Sequence, residues 1–270
     1  MTTSFDNSVP IVNQPFLYIN EMKVTNDATT PNTKFNVTAG ICRDSTNTFD
    51  INLGNFNGQN NSGTANSTTT VNAAVNGLNG LDTGSIVAAK VYYIYVIGDV
   101  VNGNPTGVVV SLALPSVGPL MPFGYNVFRW VGCITTAAGC ATFVLGYWSG
   151  NNNARRFTYD APIATSVTAG TSATYAAIVL TTLVPAQADI PVLFKANWTA
   201  NAAADTFNMN GGNSTGDAWT LIAPVAGGTA HTVGFGTVLS QLVTAVPTAQ
   251  YKVSAVGGVA INVAAYDYFI

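Results

Sequence analysis

Twelve carboxylates, one histidine and three cysteines form the chain's small stock of acid–base, thiol and metal-binding side chains. A glycosidase needs two carboxyl groups of separated acidity flanking the scissile bond. Among the twelve, Asp50, Asp82, Asp99 and Asp160 could supply such a pair, and no spacing selects one. A serine triad would have to use His231, whose neighbours Thr232, Val233, Gly234 and Phe235 alternate as in an ordinary strand. The Gly-x-Ser-x-Gly elbow is absent. Cys42, Cys133 and Cys140 have no Cys-x-x-Cys spacing, and His231 stands far from them, so a tetrahedral zinc site is not indicated. A Cys133–Cys140 disulfide would close a hairpin, but reduced thiols are the expectation for a protein made in a cytoplasm. The residues therefore assign no catalytic group, no metal and no cofactor, and a non-enzymatic role is expected.

Strands dominate the elements that would carry any site. Gly80-Leu81-Asp82-Thr83-Gly84-Ser85-Ile86 is a glycine-bounded turn leading to Val91-Tyr92-Tyr93-Ile94-Tyr95-Val96-Ile97-Gly98. Both faces of that run are apolar, which places it inside a sandwich rather than on its surface. Further strands are predicted over 16–19, 22–24, 34–37, 40–44, 49–53, 108–112, 126–135 and 141–148. Later ones are predicted over 174–184, 192–198, 231–238, 250–254 and 259–268. β-branched and aromatic residues fill most of these segments, and Gly, Asn, Pro or Asp separates them. The expected fold is all-β, an antiparallel, jelly-roll-like β-sandwich, built as one unit or as two packed β-domains. Asn102-Gly103-Asn104-Pro105 and Ala137-Ala138-Gly139 read as hairpin loops. The polar stretches 54–76 and 201–216 read as flexible loops or as β-hairpin arms that order on contact with a partner, with a weak helical signal over 73–78. The adjacent arginines within 150–156 mark an expected boundary.

Hydrophobic residues make up 48% of the 270 and charged residues only 8%. Roughly 25% charge is usual in soluble domains, so the exterior is weakly defended against association. With a net charge of −3 and no basic stripe, nucleic acid is not an expected partner. The apolar runs 86–101 and 175–184 are too short to span a bilayer as helices, so no membrane insertion is expected. Residues 1–6 have neither a basic nor an apolar signal region, which suggests synthesis in a cytoplasm without export by that route.

Several segments in order carry a family resemblance. They are Ala39-Gly40, Cys42-Arg43-Asp44-Ser45-Thr46-Asn47-Thr48-Phe49-Asp50-Ile51, the Gly80–Ile86 turn, and the strand 92–97. They continue with Thr106-Gly107, Pro122-Phe123-Gly124-Tyr125 and Phe128-Arg129-Trp130-Val131-Gly132. Over roughly residues 14–150 the chain resembles a module of tailed-bacteriophage virion proteins, usually described as tail-fibre or virion structural proteins. The resemblance implies a β-sandwich mounted in multiple copies on a virion, made in the host bacterial cytoplasm. Neither a Gly-x-y period nor a heptad run provides a fibre shaft, which favours a compact appendage, a fibre base or a capsid-surface protein over a complete long fibre.

The implied organisation is a tether over 1–15, the virion module over 16–150, and a second β-rich domain or continuation over 151–270. The expected partners are other virion proteins of tail or capsid and further copies of the chain, in a symmetric oligomer such as a trimer. Alternatives are a capsid decoration protein, or a receptor-binding module whose partner is a host surface glycan. Arg43 and Asp44, at a strand end, are expected to fix the turn through an ion pair or an aspartate side chain accepting backbone N–H bonds, with Asp50 a further residue of the module motif. Leu81 is expected to plug the core, with Asp82 and Thr83 capping the turn and Gly84 in a left-handed conformation. Arg129 and Trp130 are expected to stack at a sandwich edge.

Overall fold

Side-chain alternation explains the first layer of the computed structural model, which describes residues 18–54, 67–151, 153–187, 189–212, 216–222, 230–254 and 258–269. The expected tether over 1–15 lies outside those residues, as does 55–66 of the polar stretch. The first six strands are β1 (Ile19–Glu21), β2 (Val24–Asn26), β3 (Lys34–Val37), β4 (Gly40–Arg43), β5 (Asp50–Leu53) and β6 (Thr69–Asn72). They form two antiparallel three-stranded sheets in the orders β1-β4-β5 and β2-β3-β6. Every second residue turns inward, as the two-residue period of a strand requires. Phe35 and Val37 of β3 and Ile51 and Leu53 of β5 are buried between half-buried neighbours.

The second layer contains β7 (Gly80–Leu81), β8 (Val91–Gly98), β9 (Gly107–Ser111) and β10 (Val127–Thr135) in the order β10-β8-β9-β7. All eight residues of β8 are buried. Its two faces enter different hydrophobic clusters. Tyr92, Ile94 and Val96 pack with Phe35, Ile51, Leu53 and Val71 of the first layer. Val91, Tyr93, Tyr95 and Ile97 pack with the C-terminal strands. Full burial of an Ile or Val side chain contributes roughly 1.5–3 kcal/mol, so β8 is the most heavily weighted strand in joining the layers.

The third layer comprises β11 (Gly146–Asn151), β12 (Ala154–Ala164), β13 (Ala176–Val179), β14 (Ile190–Thr199), β15 (Thr206–Gly211), β16 (Trp219–Ile222), β17 (Ala230–Val243), β18 (Val246–Val253) and β19 (Val259–Phe269). Their order is β11-β12-β19-β14-β17-β18-β15-β16, with β13 also paired to β18. Long β17 changes partner along its length. It pairs with β14 as far as Ser240 and with β18 from Gln241. Phe157, Phe194, Phe207, Tyr251, Ile261 and Tyr266 line the inner face opposite β8 and β10.

The protein is thus all-β, built of packed and mainly antiparallel sheets, and the described residues contain no helix. Several local expectations change. Residues 73–78, expected to be weakly helical, form turns and an isolated bridge between Asn76 and Leu81. The polar stretch 54–76 yields β6, because Val71 fills the first-layer core. Of the loop and hairpin-arm readings of 201–216, the strand reading holds over β15, whose Phe207 and Met209 face the core. The 150–156 segment, at the expected boundary between the two halves of the chain, lies in the paired β11 and β12, with Asn151 opposite Ala154. One hydrophobic cluster runs from Val91 to Tyr268 across that point. The strand expected over 141–148 begins only at Gly146. Cys42 and Cys133 are buried free thiols and Cys140 is an exposed one.

Candidate interaction surface

The residues singled out from the sequence fall into two turns and one buried strand. In the first turn the Asp44 carboxylate accepts the N–H groups of Thr46 at 3.2 Å, Thr48 at 2.7 Å and Phe49 at 2.8 Å, plus the Thr46 hydroxyl at 2.5 Å. Arg43 Nη1 lies 3.3 Å from Asp50 Oδ1 across β4 and β5, which pair these two residues. Burial would raise the pKa of Asp44, but the Thr46, Phe49 and Thr48 bonds outweigh it and hold this carboxyl below its ordinary value. Asp50 moves the other way, raised by burial and only partly offset by Arg43.

These directions set an acid response. A lowered folded-state value means that Asp44 contributes stability above the unfolded carboxyl value of about 3.9, and that this is lost as pH falls through the folded value. Asp50 has the opposite sign, because its raised value favours proton uptake in the folded state. Asp27 and Asp99 are lowered like Asp44, so the balance predicts loss of stability in acid. Thermal unfolding should give a constant Tm from pH 7 to about 5 and a fall below about 4. Asp44→Asn should have a lower Tm at pH 7 and a shallower fall. An unchanged slope in that variant would contradict the assignment.

In the second turn Leu81 is buried in the first-layer cluster, Thr83 is exposed, and Gly84 has φ +74°. Asp82 reaches beyond its own turn: its Oδ2 accepts the N–H of Leu120 at 3.0 Å. On β10 the expected Arg129–Trp130 stack gives way to alternation. Trp130 lies in the cluster facing the third layer, edge-on to Tyr93 and against Tyr268. Arg129, between Val127 and Val131 of the opposite cluster, is buried on the other face. Consecutive strand residues point to opposite sides of a sheet, so the two leave β10 in opposite directions.

Asp82 belongs to a larger construction. From Val100 to Phe128 no residue is charged. Buried Asp99 organises the β8–β9 loop, accepting N–H groups of Val101 and Asn102 at 2.9 Å and the Asn104 side chain at 2.7 Å. The Tyr125 hydroxyl donates to Pro105 O at 2.7 Å, which ties this loop to the 112–126 segment. That segment packs inward through Met121 and Tyr125 and is held by the Tyr95 hydroxyl donating to Ala113 O at 2.6 Å. At Gly118 (φ +81°) a Cβ would stand 2.3 Å from the Phe128 ring, so only glycine permits this approach. Pro115, Pro119 and Pro122 restrict the chain's alternatives.

Outward from this rigid segment point Leu112, Leu114, Val117, Leu120 and Phe123. Val117 is 75% exposed, Leu120 62%, and Phe123 fully exposed, while Val101 on the neighbouring loop is 74% exposed. Scattered exposed apolar residues are ordinary, but this concentration makes the segment a candidate interaction surface. Phe123, within the Pro122–Tyr125 segment of the resemblance, is not marked for this role by its sequence. The available signal was an apolar run too rich in proline to be a central strand, leaving leucines without an element to bury them. The described residues contain no group of three His, Cys, Asp or Glu side chains able to hold a metal. No protein-family model matches the chain, and no curated protein shows significant similarity to it.

Proposed function

We propose that this chain is a non-enzymatic structural protein of a tailed-phage virion, an appendage component assembled as a symmetric oligomer on the particle. The observation that carries the assembly half of this reading is the uncharged apolar surface of residues 112–123, with Val101 beside it. On a two-fold axis a residue meets its own copy, so a charge placed there would face a like charge. A surface without charge meets no such repulsion, and its prolines reduce the entropy lost on docking. The virion half rests on the resemblance of residues 14–150.

Two measurements test the halves separately. Mass spectrometry of purified particles should find the chain at stoichiometric abundance, and its absence there removes the virion role. Light scattering should show an oligomer for the wild type and a monomer for a Leu120→Asp/Phe123→Ser double variant, whose side chains are exposed and leave the core untouched. A monomeric wild type removes the assembly role of this surface.

A further inference from the structure

Five Asn-Gly pairs occur in the chain, and four of them lie in described residues: Asn76-Gly77, Asn79-Gly80, Asn102-Gly103 and Asn210-Gly211. Such a pair carries a latent reaction. The glycine amide nitrogen can attack the asparagine Cγ, because glycine has no Cβ to restrict the approach. In a folded chain the reaction depends on how firmly both residues are held.

Three of the pairs are held. The Gly77 N–H donates to Leu81 O at 2.7 Å, and the Gly80 N–H donates to Gly77 O at 3.0 Å. Asn79 Oδ1 also accepts the Val108 N–H at 3.0 Å. Asn210 is fully buried in β15, where Asn210 and Gly211 pair with Gln250 and Ala249. Its Nδ2 donates to Gly216 O at 3.1 Å.

Asn102-Gly103 is the exception, with both residues exposed. The Asp99 carboxylate collects the N–H groups of Val101, Asn102 and Asn104 and skips that of Gly103. The Gly103 N–H has no hydrogen-bond partner among the described residues. A Cβ placed on Gly103 would meet nothing within 4 Å, so the nucleophile stands in open space. Asn102 Nδ2 lies 3.4 Å from Asp99 Oδ1, a contact at the weak end of hydrogen bonding.

We propose that Asn102 is a site of spontaneous deamidation, which puts a charge on a surface otherwise uncharged from Val100 to Phe128. Gly103 N bonds to Asn102 Cγ and gives up its proton. The Cγ–Nδ2 bond breaks, and Nδ2 leaves as ammonia with that proton. Water then opens the succinimide ring at either carbonyl, leaving aspartate or isoaspartate. The net change is gain of water and loss of ammonia, with nothing oxidised or reduced. An ionised carboxylate at position 102 accepts only, so the contact with Asp99 becomes a repulsion. Position 102 adjoins exposed Val101. Weakened contact between copies therefore follows; that consequence rests on the assembly reading above, and the reaction itself does not.

Peptide mapping of the full chain, aged in mildly alkaline buffer, tests the site. Asn102 should convert about tenfold faster than Asn76, Asn79 or Asn210, which need a hydrogen bond or a strand to open first. In denaturing urea the four rates should converge, because the fold no longer separates them. Equal rates in the folded chain, or a lead for Asn102 that persists in urea, would overturn the assignment. Light scattering of Asn102→Asp reads the consequence: association should weaken about tenfold, and association equal to that of the wild type would overturn the charge effect. A monomeric wild type removes the assembly reading, and the peptide map still decides the reaction.

Discussion

Arg155→Met should lower the unfolding free energy by about 4 kcal/mol, the larger of two expected stability losses. Arg155 on β12 is 5% exposed and reaches across the layers. Its Nη1 donates to Met22 O at 2.6 Å and Val131 O at 3.1 Å, and its Nη2 donates to Glu21 O at 2.7 Å. Burial pushes the guanidinium down from its ordinary value, with the fields of Tyr268, Cys42 and Glu21 opposing. Arginine stays protonated through such shifts, so three carbonyls receive charge-assisted bonds. Methionine of similar length leaves all three buried oxygens without these donors. Two of the carbonyls belong to Glu21 and Met22, which both have positive φ, 62° and 55°. The guanidinium therefore braces a strained link between β1 and β2.

Urea denaturation of Arg155→Met and Arg155→Lys checks this. Lysine keeps the charge but has no planar fork to span three acceptors, so it should recover only part of the loss. Hydrogen exchange should show the loss first at residues 19–26. A change below about 1 kcal/mol in both variants would mean that the clamp is dispensable.

Gly40→Ala should cost about 3 kcal/mol or prevent folding, by a steric route. Gly40 pairs with Glu21 across β1 and β4. A Cβ there would lie 2.5 Å from Asn20 O, 2.7 Å from Met22 N and 2.6 Å from Met22 Cγ. Two of these neighbours are backbone atoms in the link that Arg155 holds, so the strand itself must move. Gly77→Ala is the control: a Cβ there meets nothing within 4 Å, and only its φ of +100° opposes substitution. That variant should lose about 1 kcal/mol. Equal effects at the two sites, measured by denaturant midpoint, would refute the close-contact explanation.

Particular residues mark how far the sequence could be read. β8 was legible because Val, Tyr and Ile on both faces allow only a strand covered twice. The Asn102–Pro105 loop was legible because its turn residues act locally. β15 was not: Asn208, Asn210 and Gly211 resemble a loop, and only the core contacts of Phe207 and Met209 make it a strand. The adjacent Arg155 and Arg156 carry nothing in sequence that says which of them turns inward. In the fold, alternation sends Arg155 inward to carbonyls more than 100 residues away and Arg156 outward to Asp267, 2.5 Å from its Nε.

The amino-acid order alone determined strand character, the positions of several turns, the scarcity of charge and the lack of a recognisable catalytic set. Those properties follow from torsional preference, side-chain period and composition, which act over a few residues or none. Tertiary structure decided which apolar faces are covered, leaving Leu120 and Phe123 exposed while Tyr95 is enclosed. It also decided which polar groups meet, bringing Asp217 to Tyr175 and Lys252. The physical reason is that alternation distinguishes the two sides of a strand, but only pairing between distant segments specifies what lies against each side.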